Sequence, residues 1–149
     1  MLFSIIANFF ILCIPTPIYE NKTPDLRNLY DAIKTVSKIL KKDDIIFIES
    51  TVFPGVTEKL KDYLEKKTNL KNNKDFFIGY SPERISPGDK KYTLNNINKI
   101  VAIETKNKTV LKKVSKIYNL MGKETKSLWE IFNHISLSHK KKTFKINTL

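Results

Sequence analysis

The sequence predicts an α/β fold, a parallel sheet with flanking helices, and three observations carry that prediction. Short apolar runs at 9–14, 45–48, 76–80 and 100–103 have the continuity of strands buried on both faces. Apolar residues at helical spacing separate most of these runs. Strand and helix therefore alternate, and alternation calls for right-handed crossovers between parallel strands. The 149 residues suffice for one domain with a real core, and an apolar fraction of 41% is too high for a disordered chain.

Each element follows from its residues. Phe9–Ile14 is an apolar run stopped by Pro15 and Pro17, which force an extended loop. Pro24 and Asp25 open a helix over about 25–41, with Leu26, Leu29, Ile33, Val36 and Leu40 on one face. Lys41 and Lys42 suit its carboxyl end, where the helix dipole favours cations. Ile45–Ile48 is the second strand, and Pro54-Gly55 turns the chain into a helix marked by Val56, Leu60 and Leu64 that ends near Asn69. Phe76–Tyr80 and Ile100–Ile103 are the third and fourth strands. Val110, Leu111, Val114, Ile117, Tyr118 and Met121 form a helical stripe up to Gly122. Beyond it Leu128, Trp129, Ile131, Phe132 and Ile135 suit a short helix, and residues from Lys140 read as a solvated tail. The expected division is therefore a domain over 1–122 and a basic tail over 123–149.

Charge has the look of a nucleic-acid signal, but its make-up argues against one. The net charge is +12, yet only Arg27 and Arg84 are arginine, the usual reader of phosphates and guanines. Residues 1–104 carry 16 basic and 13 acidic groups, whereas residues 105–149 carry 11 and 2. The excess belongs to the final third, which lacks aromatic interleaving. Met1–Ile14 is apolar enough to suggest an export signal or anchor. It has no basic start, it is interrupted by Asn8, and it falls short of the roughly 20 apolar residues that span a bilayer. A buried strand is the expectation, in a cytoplasmic protein with no membrane or nucleic-acid partner.

Most catalytic constellations are missing. The sequence holds no G-x-G-x-x-G and no G-K-[ST]. His134 and His139 fall in the tail and read as surface residues, and Cys13, inside an apolar strand, reads as inert packing. No metal site is expected. In an open α/β sheet the ligand sits at the carboxyl ends of the strands, so the polar groups there are the candidates. Glu49-Ser50-Thr51 places a carboxylate and two hydroxyls at a strand end before a helix N-terminus. Such groups hold an anion or a water, or else cap the helix. Ser81-Pro82-Glu83-Arg84 follows the third strand. There Glu83 is a candidate general base and Arg84 a candidate substrate contact, or the two form a surface ion pair.

Taken together, ILCIPTPIYENKTPDL (11–26), DIIFIESTVFPGVTE (44–58) and DFFIGYSPERISPGDK (75–90) resemble the UDP-glucose/GDP-mannose dehydrogenase family. The nearest branch is the bacterial UDP-N-acetylhexosamine 6-dehydrogenases of surface polysaccharide synthesis. The resemblance implies a Rossmann-like NAD-binding domain that is incomplete here, its first β-α unit and Gly-rich fingerprint preceding residue 1. It implies an NAD-dependent oxidation of a UDP-sugar C6 alcohol to a carboxylate through a cysteine thioester. By the same resemblance Thr16 and Pro17 lie beside the NAD phosphates and ribose, with Ser50 among the cofactor contacts. Thr51 holds the water near the nicotinamide, Glu83 is the acid/base carboxylate, and Arg84 shapes the sugar site. The family's catalytic Cys, Lys and Asn match no position here, and Cys13 belongs to the strand. The expectation is a dehydrogenase fragment inactive alone, with the missing half of the enzyme as partner. The competing readings are a basic binding module built on 105–149 and a small membrane-anchored protein.

Overall fold

The computed structural model describes residues 8–82, 99–121 and 125–127. In chain order they form β1 (Phe9–Leu12), α1 (Arg27–Ser37), β2 (Asp44–Ile48), α2 (Val56–Thr68), β3 (Phe76–Tyr80), β4 (Lys99–Ile103), α3 (Lys108–Met121) and β5 (Thr125–Ser127). The strands lie side by side in that order. β1, β2 and β3 are parallel, with Leu12 opposite Ile48 and Ile48 opposite Tyr80.

The sheet is not parallel throughout, which corrects the sequence reading. β4 runs antiparallel to β3, with Gly79 opposite Ile103, and the short β5 then runs parallel to β4. A parallel step needs a crossover, usually helical. Residues 81–98 carry no helical spacing of apolar residues and include Pro82 and Pro87. A sequence with no helical spacing between two strands favours an antiparallel return over a parallel one.

That reversal decides the layers. β1-α1-β2-α2-β3 steps in one direction through right-handed crossovers, so α1 and α2 share one face. Leu29, Ile33, Val36, Val56, Leu60 and Leu64 pack there against Leu12, Ile46, Ile48, Phe76 and Ile78. The step from β4 to β5 continues in the same direction, but its strands point the other way. A right-handed crossover then places α3 on the opposite face. Val110, Val114 and Tyr118 cover Ile45, Phe47, Phe77, Val101 and Ile103. Adjacent residues of β2 thus feed two different cores, which is why this strand reads as an unbroken apolar run.

Other differences are local. α1 starts at Arg27 rather than 25, because the Asp25 carboxylate accepts the Arg27 backbone N–H at 3.0 Å ahead of the first turn. It ends at Ser37 rather than 41, and Lys41 N–H instead caps onto Asp44 Oδ2 at 2.7 Å. β1 ends at Leu12, so Cys13 is exposed rather than buried in a strand. Neither Ser50 nor Thr51 caps α2, whose N-terminus is the left-handed Gly55 (φ 92°) with no side-chain cap. Among the described residues no helix is long and apolar enough to cross a membrane. The helix expected over 128–135, the histidines and most of the basic tail lie outside the described residues.

Candidate functional site

The carboxyl ends of β1, β2 and β3 form one rim. The ladder runs one step past the strands, as Glu49 N–H donates to Leu12 O at 2.9 Å and Ser81 N–H to Ile48 O at 3.0 Å. Cys13, Glu49 and Ser81 therefore follow one another across the sheet on a common row.

Ser50 is buried and turned toward β1. Its Oγ accepts the Ile14 N–H at 2.8 Å and donates to Leu12 O at 3.3 Å. This hydroxyl ties two strand ends together. Thr51, the next residue, is exposed, and its backbone oxygen accepts the Thr16 hydroxyl at 2.8 Å. Thr16, Ser50 and Thr51 are thus brought together, and Pro17 stands exposed beside them. Tyr80 backs the β2 loop: burial pushes its phenol above the ordinary range, and the Val52 backbone opposes that rise.

The segment after Pro17 is a built loop. Asp25 N–H donates to Pro17 O at 2.7 Å and Tyr19 N–H to Thr23 O at 2.9 Å. Asn21 Oδ1 takes both the Thr23 N–H and its hydroxyl. Arg27 grips Asp25 with its side chain, 2.7 Å at the closest, and lies over the Tyr19 ring. The side-chain bond from Arg27, then its backbone N–H, hold the Asp25 carboxyl well below the usual carboxylate range. Ile18 and Tyr19 remain exposed at 68% and 43%, as does Phe53 on the neighbouring loop at 43%. The rim therefore offers hydroxyls and apolar side chains on stiff backbone.

Glu83 and Arg84 lie outside the described residues, one step past Ser81 and Pro82. Sequence reasoning missed the surroundings of Glu49. Its carboxyl sits beside two fully buried hydroxyls, those of Ser81 and of Tyr118 from α3. Equivalent strand-end offsets foretell the Glu49–Ser81 pairing. Nothing in the apolar stripe of α3 marks Tyr118 as a polar partner. Among the described residues no group of three or more His, Cys, Asp or Glu gathers to hold a metal.

Residues 5–121 match the model of the UDP-glucose/GDP-mannose dehydrogenase family, NAD binding domain. The chain belongs to this family. Over 100 residues it is 50% identical to the UDP-N-acetyl-D-glucosamine 6-dehydrogenase of Pseudomonas aeruginosa, covering 66% of this chain and 24% of that protein. The Salmonella typhi UDP-N-acetyl-D-glucosamine 6-dehydrogenase is 48% identical over 100 residues, with the same coverage. The chain thus spans about a quarter of the length of these relatives. Its fold superposes on the UDP-D-ManNAc dehydrogenase of Pyrococcus horikoshii with a TM-score of 0.72 at 32% identity, over 82% of this chain and 29% of that one. The resemblance carried by the three strand-end segments is borne out at the level of the family.

Proposed function

We propose that this chain is part of an NAD-dependent UDP-N-acetylhexosamine 6-dehydrogenase, one that oxidises a sugar C6 alcohol to the uronic acid for surface polysaccharide synthesis in the cytoplasm. The observation that carries this reading is the Thr16–Thr51 bridge at the carboxyl ends of two adjacent parallel strands. That is where an open α/β sheet receives its ligand.

The residues present fit the hydroxyl-lined part of a nucleotide cofactor. Thr16 and Pro17 stand on the rim for the phosphates and ribose, with the exposed Thr51 beside them. Ser50 belongs to this set as a support, because its hydroxyl already joins the two strands. NAD, when bound, supplies the hydride acceptor. Thr51 holds a water near the reacting carbon. Glu83 takes or returns a proton there, and Arg84 helps shape the sugar site. The chain has neither a Gly-rich pyrophosphate turn nor a cysteine in a Gly-rich motif. Without a thiolate at the aldehyde no thioester forms, so the second oxidation needs groups from elsewhere.

The test is a transplant. Residues 8–121 replace the matched segment of the Pseudomonas aeruginosa relative, and NADH is followed with that enzyme's substrate. The 149-residue chain alone is expected to give no steady NADH, and the chimera to give it. In the chimera Glu83→Gln lowers turnover by about 10²-fold or more, the scale of a lost general acid–base contribution. A folded chimera that binds substrate and makes no NADH overturns the reading.

A further inference from the structure

Behind the rim, on the α3 face of the sheet, Glu49, Ser81 and Tyr118 face one another. Glu49 is 7% exposed, and Ser81 and Tyr118 are fully buried. The buried Tyr118 hydroxyl lies beside the Glu49 carboxyl and the Ser81 hydroxyl. The Tyr118 ring packs edge-on to Phe47 at 5.0 Å and to Phe9 at 6.4 Å. Apolar side chains of β2, β3, β4 and α3 surround it.

Burying a carboxyl in such company is costly unless partners face it. An apolar residue at 49 would pack on Phe47 and Tyr118 with no directional demand. It would equally suit the α1/α2 face, where Ile46 and Ile48 lie. A carboxyl is not neutral in this way. Turned to the other face it would lie among Ile48, Leu60 and Leu64; on the α3 face it meets two hydroxyls. Side chains alternate along a strand, so the face chosen by residue 49 decides where 50 and 51 point. With Glu49 toward α3, Ser50 reaches β1 and Thr51 the rim.

We propose that Glu49 is a positioning residue: turned to the α3 face, beside the Tyr118 hydroxyl and its cross-strand neighbour Ser81, it sets the direction in which the chain leaves β2 and so places Ser50 and Thr51. What Ser50 and Thr51 then do rests on the dehydrogenase reading above; their placement does not. α3 thereby reaches Ser50 and Thr51 through Glu49, from the opposite face of the sheet to α1 and α2.

The Ile14 amide reports directly, because its hydrogen goes to Ser50 Oγ. Amide exchange is measured by NMR on the full 149-residue chain, with no cofactor added. Tyr118→Phe keeps the ring and removes the hydroxyl. It is expected to speed exchange at Ile14 about tenfold while Ile46 and Phe77, mid-strand, keep their rates, since local opening costs less than global opening. Glu49→Ala gives the same pattern, and Glu49→Gln, which keeps an acceptor, restores most of the protection. In Glu49→Ala the further change Tyr118→Phe adds nothing at Ile14. An unchanged Ile14 rate in Tyr118→Phe overturns the proposal. So does a rise shared equally by Ile46 and Phe77, which marks plain loss of stability, or a parent chain whose Ile14 exchanges as in an unfolded peptide. The cofactor reading fails separately, in an inert chimera.

Discussion

Gly79 shows how little room single residues have in this sheet. A Cβ there would meet the Phe47 ring at 2.6 Å and the Ala102 backbone oxygen at 2.7 Å. The ring fills the space over the glycine, and the backbone oxygen belongs to the antiparallel neighbour. Gly79→Ala is therefore expected to cost about 1–3 kcal/mol, as overpacking does, read as a lower urea midpoint with an unchanged slope. Asp25 gives a prediction of another kind. Its folded-state carboxyl titrates below the unfolded one because Arg27 donates to it twice over. A depressed carboxyl pKa contributes stability that is complete above the ordinary value of 3.8 and is lost as pH falls from there toward the folded value. Asp25→Asn should thus lower the urea midpoint at pH 7, and the gap to the parent chain should narrow at pH 3. Neither Gly79 nor the aim of Arg27 was legible in the sequence. A glycine inside an apolar strand does not announce which ring covers it.

Among the elements, α2 is the most completely written in the sequence. Val56, Leu60 and Leu64 are buried at the expected spacing, and the helix stops at Asn69, a non-glycine residue with φ 60°. Asparagine tolerates this left-handed conformation better than most residues, which is why the helix ends there. Glu65 reaches past that end: the Asn72 backbone N–H first, then Lys71, hold its carboxyl below the ordinary range. Leu60→Ala is expected to cost about 2–5 kcal/mol, and Asn69→Ala about 1 kcal/mol with the end of α2 frayed in amide exchange. α1 was legible by its stripe but not by its ends: Asp25 accepts the Arg27 N–H at its start, and Lys38 closes it onto the Thr35 and Val36 carbonyls. β4 was legible as a strand but not in its direction. A strand's apolar run is the same read either way, and only the missing helical spacing of apolar residues in 81–98 hinted at reversal.

The described residues form one sheet with a core on each face, and β2 serves both. Leu60→Ala on one face and Val114→Ala on the other are therefore expected to lower the same unfolding transition. Circular dichroism and tyrosine fluorescence should trace coincident curves; two separate transitions would show the faces to be independent. The sequence by itself determined the family, the strand and helix alternation, and the polar groups at the carboxyl ends of the strands. These are local patterns, and apolar periodicity and strand-end chemistry are written in consecutive residues. The tertiary structure decided the antiparallel return of β4, the inward turn of Ser50, the exposure of Cys13 and the meeting of Glu49 with Tyr118. Each of these depends on which distant segment arrives beside a residue. A phenol 69 positions down the chain becomes a carboxyl's neighbour only when a helix closes over the sheet.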